Sequence, residues 1–196
     1  KGMERLAKRV FSMPEFIGID LGGTKTIVAL ADENGKIKNS IKFATPSALD
    51  EGLQEIIKSV RKLSAKPTAI GCACGGPLDY KKGIVSPVHM PNWRGIQLKH
   101  IMQEEFGCPF FVDVDTNVAA LGEHKFGSAG KFRNFIYITL STGMGAGKLV
   151  DGKIYRGLGH PEMGHQGSQV TINHAANRFD INSHKCDCGA TGCIES

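Results

Sequence analysis

No stretch of this chain stays apolar long enough to span a bilayer, and no apolar core follows the basic opening residues as a secretory leader requires. A membrane role is therefore not expected, and the expected compartment is the cytoplasm. Aromatic residues are sparse at 7%, with Trp93 the single tryptophan. Charge of one sign is lacking as well: 24 Lys and Arg against 19 Asp and Glu leave a formal net charge of +5. The basic side chains are scattered instead of forming a stripe, so nucleic-acid binding is not indicated, and anionic small molecules account for the excess. The first twelve residues, KGMERLAKRVFS, begin without Met, precede an alternative start at Met13, and receive no function.

The chain does have enough apolar content, 41% of 196 residues, to build one large or two small domains. Its most informative stretch is Ile17 to Thr26, IGIDLGGTKT. Two β-branched runs flank a glycine pair, which predicts a hairpin with a chemical tip. Gly22 and Gly23 let backbone N–H groups approach an anion, Thr24 adds a hydroxyl, Lys25 a cation, and Asp20 a carboxylate that reaches magnesium through water. These are the needs of a nucleoside triphosphate, although a bare glycine pair also makes an ordinary turn.

Downstream, Asn34-Gly35 predicts a type I′ turn, with Lys36 to Ala44 a third antiparallel strand. Pro46 and Ser47 introduce a helix to Leu63, whose Leu49, Leu53, Ile56, Ile57, Val60 and Leu63 share one face. Thr68 to Ala73 reads as a buried strand, Ile84 to Val88 as extended, and Leu98 to Phe106 as a helix. The pattern then turns to strand, helix, strand at Phe110 to Val114, Asn117 to Phe126 and Phe135 to Leu140. A second glycine segment, STGMGAG from Ser141 to Gly147, follows, with Asp151-Gly152 at the next hairpin tip. Two such segments suggest two facing lobes that hold β- and γ-phosphates by main-chain N–H groups.

Three of the six cysteines, Cys72, Cys74 and Cys108, lie in apolar settings and read as small core residues. Cys186, Cys188 and Cys193 cluster among glycines, which in a reducing compartment indicates a metal more than disulfides. Three thiolates need a fourth ligand, and His184 is the nearest in sequence. Asp115 ends a strand and opens a helix, as an N-cap or as a functional carboxylate. Asp113, two residues earlier, is its rival by strand period.

The strings IGIDLGGTKT, GGPLD, MPNW, DTNVAALGE, STGMGAG, HPEMGH and CDCGATGCIE resemble, in order and rough spacing, the ROK family of sugar kinases, within the actin, Hsp70 and hexokinase superfamily. The resemblance covers nearly all of Met13 to Glu195. It implies an α/β, ribonuclease H-like, two-lobe architecture with mixed sheets: an N-terminal lobe over 13–133 and the start of a C-terminal lobe over 134–196. It also implies ATP-dependent phosphorylation of a hexose, with a homodimer as the full-length form. Asp115 becomes the general base. ATP is held by Asp20, Gly22, Gly23, Thr24, Lys25, Thr142, Gly143, Gly145 and Gly147. Sugar hydroxyls meet Asn92, Glu162, His165 and Glu195. A structural zinc takes His165, in preference to His184, together with Cys186, Cys188 and Cys193.

The sequence departs from the family pattern in two places. Many members carry Asn just before the catalytic Asp, where this chain has Val114. Members also continue past the zinc motif, so the resemblance implies that the second lobe is incomplete here. MPNW and CDCGATGC resemble glucokinases, whereas Asp113 to Asn117 and HPEMGH resemble the fructokinase branch; glucose ranks first. An N-acetylhexosamine kinase, an inactive remnant, and a ROK regulator with an upstream DNA-binding helix-turn-helix are the other readings.

Overall fold

In the computed structural model, residues 13–140, 143–157, 171–174, 177–180, 184–186 and 189–194 are described. They group into two compact units, one closing at Val114 and the other opening at Asp115.

The first unit begins with β1 (Phe16–Leu21), β2 (Lys25–Ala31) and β3 (Ile37–Ala44), joined as antiparallel neighbours. β4 (Ala69–Cys74) and β7 (Phe110–Val114) add in parallel, giving the mixed order β3-β2-β1-β4-β7. Period-two alternation decides which face is buried. Ile17, Ile19 and Leu21 of β1, Val28 of β2, Ile70, Cys72 and Cys74 of β4, and Phe110 and Val112 of β7 all point to one core. On the other face Gly18 and Gly71 meet nothing within 4 Å.

Two helices, α1 (Leu49–Leu63) and α2 (Leu98–Phe106), cover the apolar face. α1 contributes buried Ile56 and Val60, and α2 contributes Leu98 and Met102. Each fully buried side chain of this size stabilises the fold by roughly 1.5–3 kcal/mol relative to exposure. α1 carries Asp50 and Glu51 in its first turn and Arg61 and Lys62 in its last, matching the helix dipole at both ends. Arg61 pairs with Glu105 of α2. At the exit of α1, Ser64 Oγ donates to Glu15 Oε2 at 2.5 Å, fixing the entry to β1. α2 ends at Gly107, whose φ of 62° is the left-handed stop that glycine adopts without strain.

α1 starts at Leu49, just after Pro46 and Ser47 as expected, with Ala48 at its N-cap and no side-chain cap bond. The Ser47 carbonyl accepts Asn92 Nδ2 at 2.9 Å. The β2–β3 turn is not type I′, because Gly35 has positive φ (77°) and Asn34 does not. Asp32 accounts for this. Its carbonyl accepts Gly35 N at 3.0 Å, and its Oδ1 accepts the amides of Asn34 and Lys36 at 3.0 and 3.1 Å. Those bonds select a type I turn closed by a left-handed glycine.

Cys72, Cys74 and Cys108 are buried, as expected of small core residues. Burial pushes the Cys72 thiol well above the usual thiol range, with Cys74 and Asp20 adding to the shift. Burial also raises Cys108.

In the second unit, α3 (Asp115–Phe126) packs on β8 (Phe135–Leu140) and β9 (Met144–Val150), with β10 (Lys153–Ile154) completing the order β10-β9-β8. That packing groups α3 with the later strands. Asp151 and Gly152, at φ 52° and 75°, form the predicted tip between β9 and β10. β11 (Thr171–His174) and β12 (Asn177–Asp180) form a further antiparallel pair.

Candidate functional site

The first candidate element is the hairpin between β1 and β2. Its last regular pair is Leu21 with Thr26, beyond which Gly22 N donates to Lys25 O at 3.1 Å. The Gly22 amide is thus taken within the turn, whereas the amides of Gly23 and Thr24 have no acceptor among the described residues. Gly23, Thr24 and Lys25 are exposed, as is Asp20 at the end of β1. Two outward amides, a hydroxyl and an ammonium suit phosphate oxygens. Asp20, an exposed carboxylate at the hairpin base, suits a hydrated magnesium ion. Gly23 also has a packing reason to lack a side chain, since a Cβ there would lie 3.2 Å from His89 Cβ and 3.3 Å from its carbonyl oxygen.

Thr45, just beyond β3, clamps this hairpin and was not singled out by sequence reasoning. Its Oγ1 donates to Gly22 O at 2.6 Å, so it accepts from Thr26 Oγ1 at 2.8 Å, and its amide donates to Thr24 O at 3.1 Å. Thr26 is fully buried. The only available signal was a polar β-branched residue at the inward position of β2, which needs a partner when buried.

Asn92 sits in a single 3₁₀ turn, Pro91–Trp93. Its Nδ2 is committed to Ser47 O, which leaves Oδ1 as the atom able to accept a hydroxyl. Trp93 is 1% exposed and belongs to the core, so it supplies no sugar-facing wall.

In the second unit, Asp115 is exposed in the first turn of α3, and its Oδ1 accepts the Thr116 amide at 2.7 Å. One carboxylate oxygen is anchored by that bond. Asp113 is half-buried within β7 and its Oδ1 accepts Val114 N at 2.8 Å. Val114 is 5% exposed and shares its face of β7 with Phe110 and Val112, so the family's polar position holds a core residue here.

Gly145 and Gly147 are not loop residues. They lie inside β9, paired with Thr139 and Tyr137 of β8. A Cβ on Gly147 would lie 2.1 Å from Thr116 O, and one on Gly145 2.8 Å from Thr116 Cγ2. Their bare face is therefore filled by the first turn of α3, while Gly143 is exposed ahead of β9. Thr142 lies outside the described residues, as do Glu162, His165, Cys188 and Glu195.

Cys186 and Cys193 are both buried, at 8% and 1% exposed. A tight reversal brings them onto one short segment: Lys185 bridges Thr191, Cys186 N donates to Ala190 O at 2.9 Å, and Gly189 N donates to Cys186 O at 2.9 Å. Gly189 and Gly192, at φ 91° and 74°, make the reversal sterically free. Two buried thiols flanking such a knuckle suit a soft divalent ion. His184 is exposed, and its carbonyl accepts Gly192 N at 2.9 Å.

A model of the ROK family matches residues 16–196. The chain belongs to the ROK family. It is 33% identical over 181 residues to a glucokinase of Streptomyces coelicolor, covering 91% of this chain and 54% of that protein. It is 33% identical over 189 residues to a xylose repressor of Bacillus spizizenii, covering 91% of this chain and 46% of the repressor. Among solved structures, a ROK family glucokinase from Streptomyces griseus in complex with glucose and AMPPNP superposes with a TM-score of 0.76 at 32% identity, over 92% of this chain and 56% of that one. The mixed α/β fold is thus the ribonuclease H-like arrangement of ROK sugar kinases. The chain spans about half the length of the curated relatives it matches.

Proposed function

We propose that this chain carries the sugar and phosphate chemistry of an ATP-dependent hexose kinase, with glucose as the favoured substrate and its 6-hydroxyl as the acceptor. The observation that carries the reading is Asp115: an exposed carboxylate at a helix start, held through Oδ1 by the next amide, with no partner for Oδ2 among the described residues. As the sugar oxygen bonds to the γ-phosphorus and the bond from that phosphorus to the bridging oxygen breaks, ADP leaves and the hydroxyl proton passes to Asp115. Such base catalysis contributes about 10²–10⁴ in rate.

The hairpin supplies the amides of Gly23 and Thr24, the Thr24 hydroxyl and the Lys25 ammonium to the phosphates, with Asp20 toward hydrated magnesium. Magnesium supplies neutralisation of the phosphate charge. Gly143 and Thr142 add main-chain donors. Asn92 accepts from a sugar hydroxyl through Oδ1, and Glu162, His165 and Glu195 complete the polyol contacts. Cys186, Cys188, Cys193 and His165 would hold a zinc ion, which as a site of four protein ligands would be structural and brace the sugar-binding segment. We place the enzyme in the cytoplasm as a homodimer.

Asp115→Asn tests the reading in an ATP-consumption assay coupled to glucose. Sugar binding is retained and turnover falls by at least about a hundredfold, because an amide accepts a hydrogen bond but not the proton. Turnover within a few-fold of the parent excludes Asp115 as the base.

The likeness to a xylose repressor supports a second reading, a sugar-sensing domain of a regulator. Sugar binding without any ATP turnover, together with a DNA-binding helix-turn-helix in the reading frame upstream, would favour it.

A further inference from the structure

Gly147 and Gly145 leave no side chain between β9 and α3, and the atoms that fill the gap belong to the residue that orients Asp115. A Cβ on Gly147 would lie 2.1 Å from Thr116 O, 2.6 Å from Thr116 C and 3.0 Å from Ala120 Cβ. The first two are backbone atoms that cannot rotate away. Thr116 and Ala120 are 5% and 0% exposed, so neither can retreat into solvent. The Thr116 amide, on the other side of the same Cα, donates to Asp115 Oδ1 at 2.7 Å. Where Thr116 sits on β9 therefore constrains where its N–H points, and that N–H anchors one oxygen of the Asp115 carboxylate.

We infer that Gly147 is a positioning residue for Asp115, acting through the Thr116 backbone, with Gly145 as a weaker partner. This rests on the reading of Asp115 as the general base. It gives the second half of STGMGAG a duty other than phosphate binding, since both glycines are paired with β8 and the side-chain space above them is occupied by α3. A rotated carboxylate is a misaligned base, and misplacement by about 1 Å costs on the order of a hundredfold in rate.

The two duties predict opposite kinetics. In the active enzyme with ATP and glucose, Gly147→Ala lowers kcat by about a hundredfold while both KM values stay within about twofold. Its Thr116 amide resonance moves, as it also does in Asp115→Asn. A raised KM for ATP with kcat preserved would make Gly147 a phosphate contact and overturn the inference, as would an unmoved Thr116 resonance with full kcat.

Gly145→Ala provides the control, because its obstructing atoms are side-chain ends, Thr116 Cγ2 at 2.8 Å and Thr139 Oγ1 at 3.2 Å. Thr116→Ser removes that Cγ2 and recovers kcat in the Gly145→Ala background, but not in Gly147→Ala, whose clash is with backbone. If Gly147→Ala fails to fold, the Gly145 and Thr116 cycle decides alone, and additive effects sink the inference. Failure of the base reading is separately visible: Asp115→Asn keeps turnover, while the amide shift in Gly147→Ala persists.

Discussion

Gly52→Ala sets two effects of opposite sign against each other within the first unit. Gly52 lies in the first turns of α1, where its amide donates to Ala48 O at 3.0 Å, and replacing helical glycine by alanine normally gains about 0.8–1.0 kcal/mol. Here the new Cβ would lie 2.7 Å from Trp93 Cζ2 and 3.6 Å from Cε2 and Cη2. The indole is 1% exposed, so it cannot swing into water and must push neighbouring side chains instead. Overpacking of this kind costs about 1–3 kcal/mol, so the clash outweighs the gain in helix propensity and the variant loses up to about 2 kcal/mol. Trp93 is the only tryptophan and reports its own surroundings. A urea titration followed by its fluorescence should show a lower midpoint at unchanged slope, by about 0.3–1 M for each 1 kcal/mol lost. Because Asn92 precedes Trp93 and is tied to Ser47 O, sugar affinity should weaken alongside. A midpoint that rises would refute the reasoning, since it would mean that the ring yields at no cost and helix propensity decides.

Val114→Asn, which restores the residue common in the family, should destabilise the first unit by about 1–3 kcal/mol without improving sugar affinity, because Val114 is 5% exposed and shares the core face of β7. Denaturation and sugar calorimetry on the same variant check both halves. Elemental analysis should find one zinc per chain; His165→Ala should lower zinc content and sugar affinity together, while His184→Ala should change neither. A reversed pair of results would move the fourth ligand to His184. Apparent binding energies of structural zinc are about 10–16 kcal/mol, so chelation should release the Cys186–Cys193 segment to proteolysis. The raised Cys72 thiol favours the neutral form in the folded state, so its contribution to stability is full below the ordinary thiol pKa of about 8.5 and is lost as pH rises from there through the folded value. Stability measured against pH should decline above that point, and less steeply in Cys72→Val.

What could be read from the sequence was mostly what local patterns determine. The alternation of Ile17, Ile19 and Leu21, the apolar stripe of α1 and the glycine stop of α2 are each visible within ten to fifteen residues. The β2–β3 turn was misread because Asn34-Gly35 is also compatible with a type I turn, and the choice lay with the Asp32 carboxylate two residues earlier. Thr45 was missed for a related reason: its partners Gly22 and Thr26 are 23 and 19 residues away. The strand character of Gly145 and Gly147 was hidden too, since glycine disfavours strands and only pairing with β8 overrides that preference.

The glycines of the two units thus fall into two kinds that composition cannot separate. Gly23 has no acceptor for its amide among the described residues and sits at an exposed tip, where the absent side chain lets an anion approach. Gly52, Gly145 and Gly147 sit in regular elements, and what replaces their side chains is Trp93 in one case and the first turn of α3 in the others. The first kind tolerates small changes in surrounding structure, because a ligand adjusts to the amides it finds. The second kind does not, because a helix seated on a strand transmits a displacement of tenths of an ångström to every group on its first turn. Asp115 is on such a turn. If Asp115 is the base proposed above, it has to meet its proton at hydrogen-bond distance, so accuracy at that carboxylate would matter more than one further phosphate contact. On the proposed reading, a glycine buried against Thr116 would serve phosphoryl transfer more than a glycine exposed to the nucleotide.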